Sequence, residues 1–366
     1  MNGPKKSVYY GAYLQLDKLL DCQQRESAIQ GKPAHDEMLF IIVHQAYELW
    51  FKQILFELDG ILQTFSRTAV NEVDMGQIVA SLRRITEIQK LLIQQVDVLE
   101  TMTPLDFLDF RDYLVPASGF QSTQFRLIER HLGLRMEDRL SFGDTPYYER
   151  LQGADRDTLK EAEESLTLFD YIQNWLERTP FLEMDTFSFW ESYQDAVENM
   201  IENDRAIIKA TPTLTEGERE SQLLQLEKTR QEFEVVFDED THANLMADGS
   251  WRLSHKALKA ALFINLYRDQ PVLHLPYQVL ALLMDIDENF TTWRYRHSLM
   301  VLRMIGQKIG TGGSSGHDYL RQTAKKHKVF KDFFALSTFF LPRSALPELP
   351  PEAQKKLGFY FQPSSA

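Results

Sequence analysis

Two histidines set in apolar helical sequence are the residues of this chain best suited to chemistry. His44 lies in HDEMLFIIVHQAYELWFKQILFELDGILQTF, sharing a helix stripe with Phe40 one turn before it, Glu48 one turn after and Phe51 two turns after. His297 lies in ENFTTWRYRHSLMVLRMIGQ, with Trp293 and Val301 one turn away and Phe290 and Met304 two turns away. A neutral imidazole presented from an apolar helix face suits the axial position of a b-type haem. Arg294, Arg296 and Arg303 lie close enough to meet haem propionates. The plain alternative is a core histidine bonded to a backbone carbonyl. Wide separation in sequence suits opposite faces of one planar cofactor and suits zinc poorly, because no third ligand of matching spacing is present. The other histidines (His35, His131, His242, His255, His274, His317 and His327) sit mostly in polar or turn-like sequence and are expected at the surface. Glu239 and His242 form one E-x-x-H, where a helical di-iron site needs two pairs and further carboxylates.

Arg111, between Asp109 and Asp112, has two readings. It is a surface ion pair contributing ~0–1 kcal/mol, or a planar fork for a substrate carboxylate, a role that Lys would not fill. The PASG turn at 116–119 brings backbone N–H groups near it. The GTGGSSG run at 310–316 lacks the GK[ST] ending of a P-loop and follows a helix, not a strand. It reads as a linker or as a flexible lid in which Thr311 supplies a hydroxyl. No G-x-S-x-G elbow is present, and Cys22 has no evident base beside it.

The elements that carry these residues read as helices. Residues 35–65 form the longest helical signal, with Phe40, Ile41, Val43, Ala46, Tyr47, Trp50, Phe51, Ile54 and Leu58 at helical spacing and apolar residues on the other faces too. Such a helix is expected to be buried and central. Gln45, Glu48, Lys52 and Glu57 interrupt any run of the ~20 apolar residues a bilayer requires. Residues 70–101 place Ile78, Leu82, Ile85, Ile88, Leu92, Val96 and Leu99 on one face, predicting a long antiparallel partner. Pro104 opens a new segment in which Pro116 and Gly119 separate two short helices. Asp157 is expected to cap a helix running through Leu159, Ala162, Leu166, Phe169, Ile172 and Leu176 to a stop at Pro180. Further helices are predicted over 186–210, 215–238, 253–267 and 277–306, the last lightly broken near residues 285–289. Strand signals are scarce and no solenoid repeat is present, so the fold class is all-α.

The totals narrow the classes. With 366 residues, 43% of them hydrophobic, and 24 Phe, 14 Tyr and 5 Trp, the chain can build a full core. The evenly spread periodicity predicts a single domain over 1–366, with an N-terminal arm over about 1–20 and a charged helical excursion over about 212–245. A net charge of −13, spread along the chain, argues against nucleic-acid or anionic-membrane binding. One cysteine excludes an internal disulfide framework, and MNGPKKSVYYGAYLQLDKLLD lacks the apolar core of a signal peptide, so a cytosolic protein is expected.

Four segments together resemble the tryptophan 2,3-dioxygenase family: YYGAYLQLDKLL, HDEMLFIIVHQAYELWFKQILFELD, FLDFRDYLVPASGFQSTQFRLIE and WRYRHSLMVLRMIGQKIGTGGSSG. They span nearly the whole chain, and stretches of that length are far more specific than a short histidine motif. The resemblance implies an all-α haem enzyme that adds both atoms of O2 across the indole C2–C3 bond of L-tryptophan. It implies a non-covalent haem b, one per subunit, held by His297 on the proximal side. His44 would lie distally and accept the indole N–H, with Phe40 packing on the ring. Arg111 would hold the substrate carboxylate, Thr311 the ammonium and carboxylate end, and Ser118 and Gly119 would lie beside the substrate. Tyr10 and Tyr13 match tyrosines that reach a neighbouring pocket in a cytosolic homotetramer. Two rivals remain at this point: a haem-based oxygen sensor or carrier, and a helical scaffold without cofactor.

Overall fold

Spacing of apolar residues at three and four dictates the elements, and helix caps set where they begin. The computed structural model describes residues 7–67, 69–140, 147–179, 183–184, 187–308 and 316–358. Three short helices lead in: α1 (Tyr10–Leu14), α2 (Leu16–Leu19) and α3 (Glu26–Ile29). Two long ones follow, α4 (Glu37–Phe65) and α5 (Glu72–Leu99), the second capped by Asn71, whose side chain accepts the Asp74 N–H at 2.9 Å. All seven predicted core positions of α5, from Ile78 to Leu99, are buried. Tyr47 Oη donates to the Leu92 carbonyl at 2.9 Å and Gln95 Nε2 to the Val43 carbonyl at 2.7 Å, which fixes the register of α4 on α5.

Next come α6 (Pro104–Arg111), opened by a Thr103–Asp106 capping box with Pro104 in the first turn, and α7 (Thr123–Leu132). A short 3-10 turn over Gly119–Gln121 lies between them. The single helix expected from Asp157 onward is two: α8 (Gly153–Glu163) and α9 (Leu168–Glu177). Asp157 lies inside α8, and Thr167 caps α9 through a full capping box with Asp170. That local signal overrides a periodicity that ran through Leu166, which is exposed. Pro180 falls outside the described residues.

A two-residue antiparallel pairing of 183–184 with 187–188 precedes α10 (Phe189–Ala210), followed by α11 (Glu216–Phe237) and α12 (Glu239–Ala247). No residue between 202 and 225 is fully buried, so the end of α10 and the start of α11 project as a hairpin. From Leu226 onward α11 returns to the core through Phe233 and Val236, and His242 on α12 is 1% exposed.

Then α13 (His255–Leu266) runs through the core, and α14 (Pro271–Ile305) continues for 35 residues without the break expected near 285–289. That polar run is an anchor. Asp287 is buried and accepts the Val329 and Phe330 N–H groups at 3.1 and 2.7 Å. Finally α15 (Gly316–Lys326), α16 (Lys331–Ala335) and α17 (Pro351–Leu357) fold back over α14. Gly316 permits the crossing: a Cβ there would lie 3.0 Å from Val301 Cγ1. Apart from the short pairing at 183–188, the described residues are all-α, and one contiguous apolar core runs from Val43 to Leu357. None of the described helices is long and apolar enough to cross a membrane.

The helix over 35–65 is less enclosed than its composition predicts. Val43, Tyr47, Phe51, Ile54 and Leu58 are buried, but Ile42, Leu49, Trp50 and Phe56 form an exposed apolar stripe on its other side.

Candidate functional site

One cavity of about 280 Å³ lies between α4, the end of α5, α6, α7, α14 and α15. Its position follows from the packing: α4 and α14 both pack on α5, and their facing sides diverge where Val96 and Leu99 of α5 line the space between them. His44 projects into it from α4 and His297 from α14, so two residues 253 positions apart in sequence face one chamber.

His44 is held by its own helix. Its Nδ1 lies 2.7 Å from the Phe40 carbonyl oxygen, which can only accept, so Nδ1 carries the proton. Burial lowers the pKa of His44 against the opposing effect of that hydrogen bond, so the ring is neutral at pH 7 and Nε2 keeps an acceptor lone pair. His44 counts as exposed by surface area, yet what it is exposed to is the cavity. Phe40 packs on it with ring centroids 4.1 Å apart, and Phe107 and Phe110 pack on Phe40 at 5.8 and 5.5 Å.

The ring of His297 makes no hydrogen bond to any described residue. Desolvation, with the repulsion that a protonated His44 would add, pushes its pKa down to about 4. Trp293, one turn earlier, stacks on it at 5.6 Å and is itself boxed by Tyr47 and Phe125. A neutral imidazole with neither nitrogen engaged, facing an apolar chamber, has the donor chemistry of an axial haem ligand. The residues present fit that cofactor.

Of the three arginines expected near His297, only Arg294 lines the cavity. Arg296 pairs with Asp97 and Glu100 of α5, and Arg303 is exposed, 4.0 Å from Glu100. Arg111, Ser118 and Gly119 do line it, with Arg111 16% exposed and 3.4 Å from Asp112. The turn carrying Ser118 is held by its own side chain accepting the Phe120 N–H at 3.4 Å and by Gln121 Oε1 accepting the Ser118 N–H at 3.2 Å. Tyr10 and Tyr13 stand outside this cavity, 71% and 73% exposed on α1. Thr311 lies outside the described residues.

Sequence reasoning missed a polar corner of the same chamber. Glu129 on α7, Arg126 and His327 line it beside the expected Arg294, although His327 was expected at the surface and is 2% exposed. His242, also expected at the surface, is a core histidine whose Nε2 meets the Leu253 carbonyl at 2.8 Å. The signal that could have found Glu129 is its place in RLIERHLG, one turn from Phe125 and Leu132 on the face that Leu132 buries. Glu48 also lines the chamber, and Gln124 Nε2 donates to its Oε2 at 2.8 Å.

A family model described as tryptophan 2,3-dioxygenase matches residues 2–340. The tryptophan 2,3-dioxygenase of Bdellovibrio bacteriovorus is 53% identical over 354 residues, covering 97% of this chain and 99% of that protein. That of Alteromonas mediterranea is 48% identical, covering 98% and 100%. That of Dictyostelium discoideum is 46% identical, covering 97% and 89%.

Proposed function

The chain belongs to the tryptophan 2,3-dioxygenase family, and from that premise we propose how its cavity carries out the reaction. The protein is a haem-dependent dioxygenase that adds both atoms of O2 across the indole C2–C3 bond of L-tryptophan, giving N-formyl-L-kynurenine, the first step of tryptophan catabolism by the kynurenine pathway. Membership removes the sensor and scaffold alternatives.

His297 holds the iron of a non-covalent haem b, one per subunit. The observation that carries this is an imidazole with no hydrogen bond to any described residue, kept neutral by burial and facing the chamber. Bound there, haem supplies the binding and activation of dioxygen, and the protein positions the indole. His44 accepts the indole N–H at Nε2, since Nδ1–H is committed to the Phe40 carbonyl. Phe40 packs on the indole ring. Arg111 takes the substrate carboxylate through its planar fork, beside the turn at Ser118 and Gly119. Thr311 joins the same amino-acid end. A few polar groups converging in an aromatic slot fix one orientation, and holding the ring against the oxygen is a proximity effect.

Two features of the surface support a homotetramer. The stripe of Ile42, Leu49, Trp50 and Phe56 is apolar area on the central helix that the other described residues leave exposed. Tyr10 and Tyr13 are aromatics on a five-residue helix with no buried residue, as an arm that completes a neighbour's pocket requires. The whole chain acts as one domain in the cytoplasm, with the arm and the hairpin over 202–225 as its appendages.

The test is the absorption spectrum of the purified protein with and without L-tryptophan under oxygen. A Soret band that shifts with tryptophan, followed by N-formylkynurenine absorption, is expected. No Soret band after reconstitution with haem would sink the ligand assignment.

A further inference from the structure

The corner around Glu129 holds more charge than ligation by His297 requires. Glu129 is 3% exposed, and four donors converge on its carboxylate. Oε1 accepts from Arg294 Nη2 at 2.9 Å and faces His327 Nδ1 at 3.4 Å. Oε2 accepts from Arg126 Nη1 at 3.0 Å and Arg139 Nη1 at 2.6 Å. A carboxylate offers about four acceptor sites, so Glu129 is saturated. Burial would raise its pKa, but Arg139, Arg126, His327 and Arg294 together hold it well below the usual carboxylate range.

The histidine is fixed as firmly. His327 Nε2 accepts the Leu140 N–H at 3.2 Å, so Nδ1 carries the proton and points it at Glu129. The His327 carbonyl accepts from Arg294 Nη1 at 2.9 Å. Two of the three cations, Arg126 and Arg294, reach the wall of the chamber, and Arg294 lies three residues before His297 on the same side of α14. A buried anion that engages every cation around it on one side leaves each planar fork fixed in orientation.

We infer that Glu129 is a positioning residue, which holds Arg126 and Arg294 against the cavity wall about one turn from His297, where they take the two carboxylates of the haem propionates. This rests on the haem reading above. The role is indirect: Glu129 does not touch the reacting atoms, and its effect passes through the guanidiniums.

The experiment compares haem with haem dimethyl ester, whose propionates are capped, in the full-length protein, following release of each to apomyoglobin. In the wild type the ester leaves roughly a hundredfold faster than haem, because charged hydrogen bonds are lost. In Glu129→Gln the release of haem rises about ten- to a hundredfold, the size seen for groups that orient a ligand from behind, while release of the ester is unchanged. Equal acceleration of both porphyrins means a general loosening and overturns the assignment. Slower release of haem means that Glu129 only competes for the arginines, and also overturns it. Should Glu129→Gln fail to fold, Arg294→Met replaces it and is expected to shrink the gap between the two porphyrins. Equal release of haem and ester from the wild type overturns the inference without touching the ligand role of His297. A wild type that binds neither porphyrin removes both.

Discussion

Two walls of one chamber each carry a histidine, and the histidines differ in what their nitrogens do. On the α14 wall, His297 bonds to no described residue and its neighbours are Trp293, Val301 and Met304. In the corner where α7 meets the segment after α15, His327 has both ring nitrogens occupied, one by Leu140 N–H and one by Glu129. Burial lowers the pKa of both. The shift alone therefore cannot separate a ligand from a structural histidine; the hydrogen-bond inventory does. A saturated imidazole stabilises the fold, and one without such bonds is the one that the haem reading takes as ligand.

That contrast can be broken experimentally, beginning with its strongest consequence. His297→Ala is expected to lose or misligate its haem while keeping a folded apoprotein. Unchanged haem content and an unchanged Soret band would remove the distinction between the two walls. Arg111→Met is expected to raise KM for L-tryptophan by roughly ten- to a hundred-and-fifty-fold, the value of a charged hydrogen bond of about 1.5–3 kcal/mol; steady-state kinetics measures it. His327→Leu should do the reverse of His297→Ala. It leaves Glu129 and the Leu140 N–H each short of a partner and lowers stability by about 1–3 kcal/mol, seen in denaturant unfolding, with the Soret position kept. A smaller effect is expected at the distal side. His44→Ala removes one neutral hydrogen bond of about 0.5–1.5 kcal/mol, so kcat/KM falls and turnover survives.

The smallest expected effect is a flat line. Burial lowers the His44 pKa below 6.5, so its neutral form and free Nε2 acceptor persist as pH falls to that value. KM for tryptophan should not change between pH 8 and about 6.5. A rise in KM as pH falls through 7 would mean that His44 protonates more readily than its surroundings allow.

How much of this was legible in the sequence depended on the range of the interaction. The buried face of α5 was readable at all seven positions, because apolar spacing is a local property. The capping box at Thr167 was readable too, yet the apolar run through Leu166 masked it. His44 and His297 stood out because each interrupts an apolar helix face. Glu129, Arg126 and His327 did not, because a charge neutralised by a distant partner, as Glu129 is by Arg294 165 residues away, looks in sequence like any surface charge. The exposed stripe of α4 was misread for a related reason: composition reports that a face is apolar and not whether other helices of the chain pack on it. Asp287 gave the opposite error, a polar residue read as a break because its two partners, Val329 and Phe330, lie far along the chain.

Those two Asp287 bonds have a kinetic consequence. Ten residues along α14, about 15 Å of helix, separate Asp287 from His297, and Arg294 ties the His327 carbonyl between them. The segment 327–330 is thus fastened twice to the rod that carries His297. Its amides cannot open by local fraying without pulling on that rod. In native-state hydrogen exchange, the Val329 and Phe330 amides should exchange with the slowest class in the molecule, at rates set by global unfolding. A chamber wall assembled from the far end of the chain then keeps the same time as the helix it closes against.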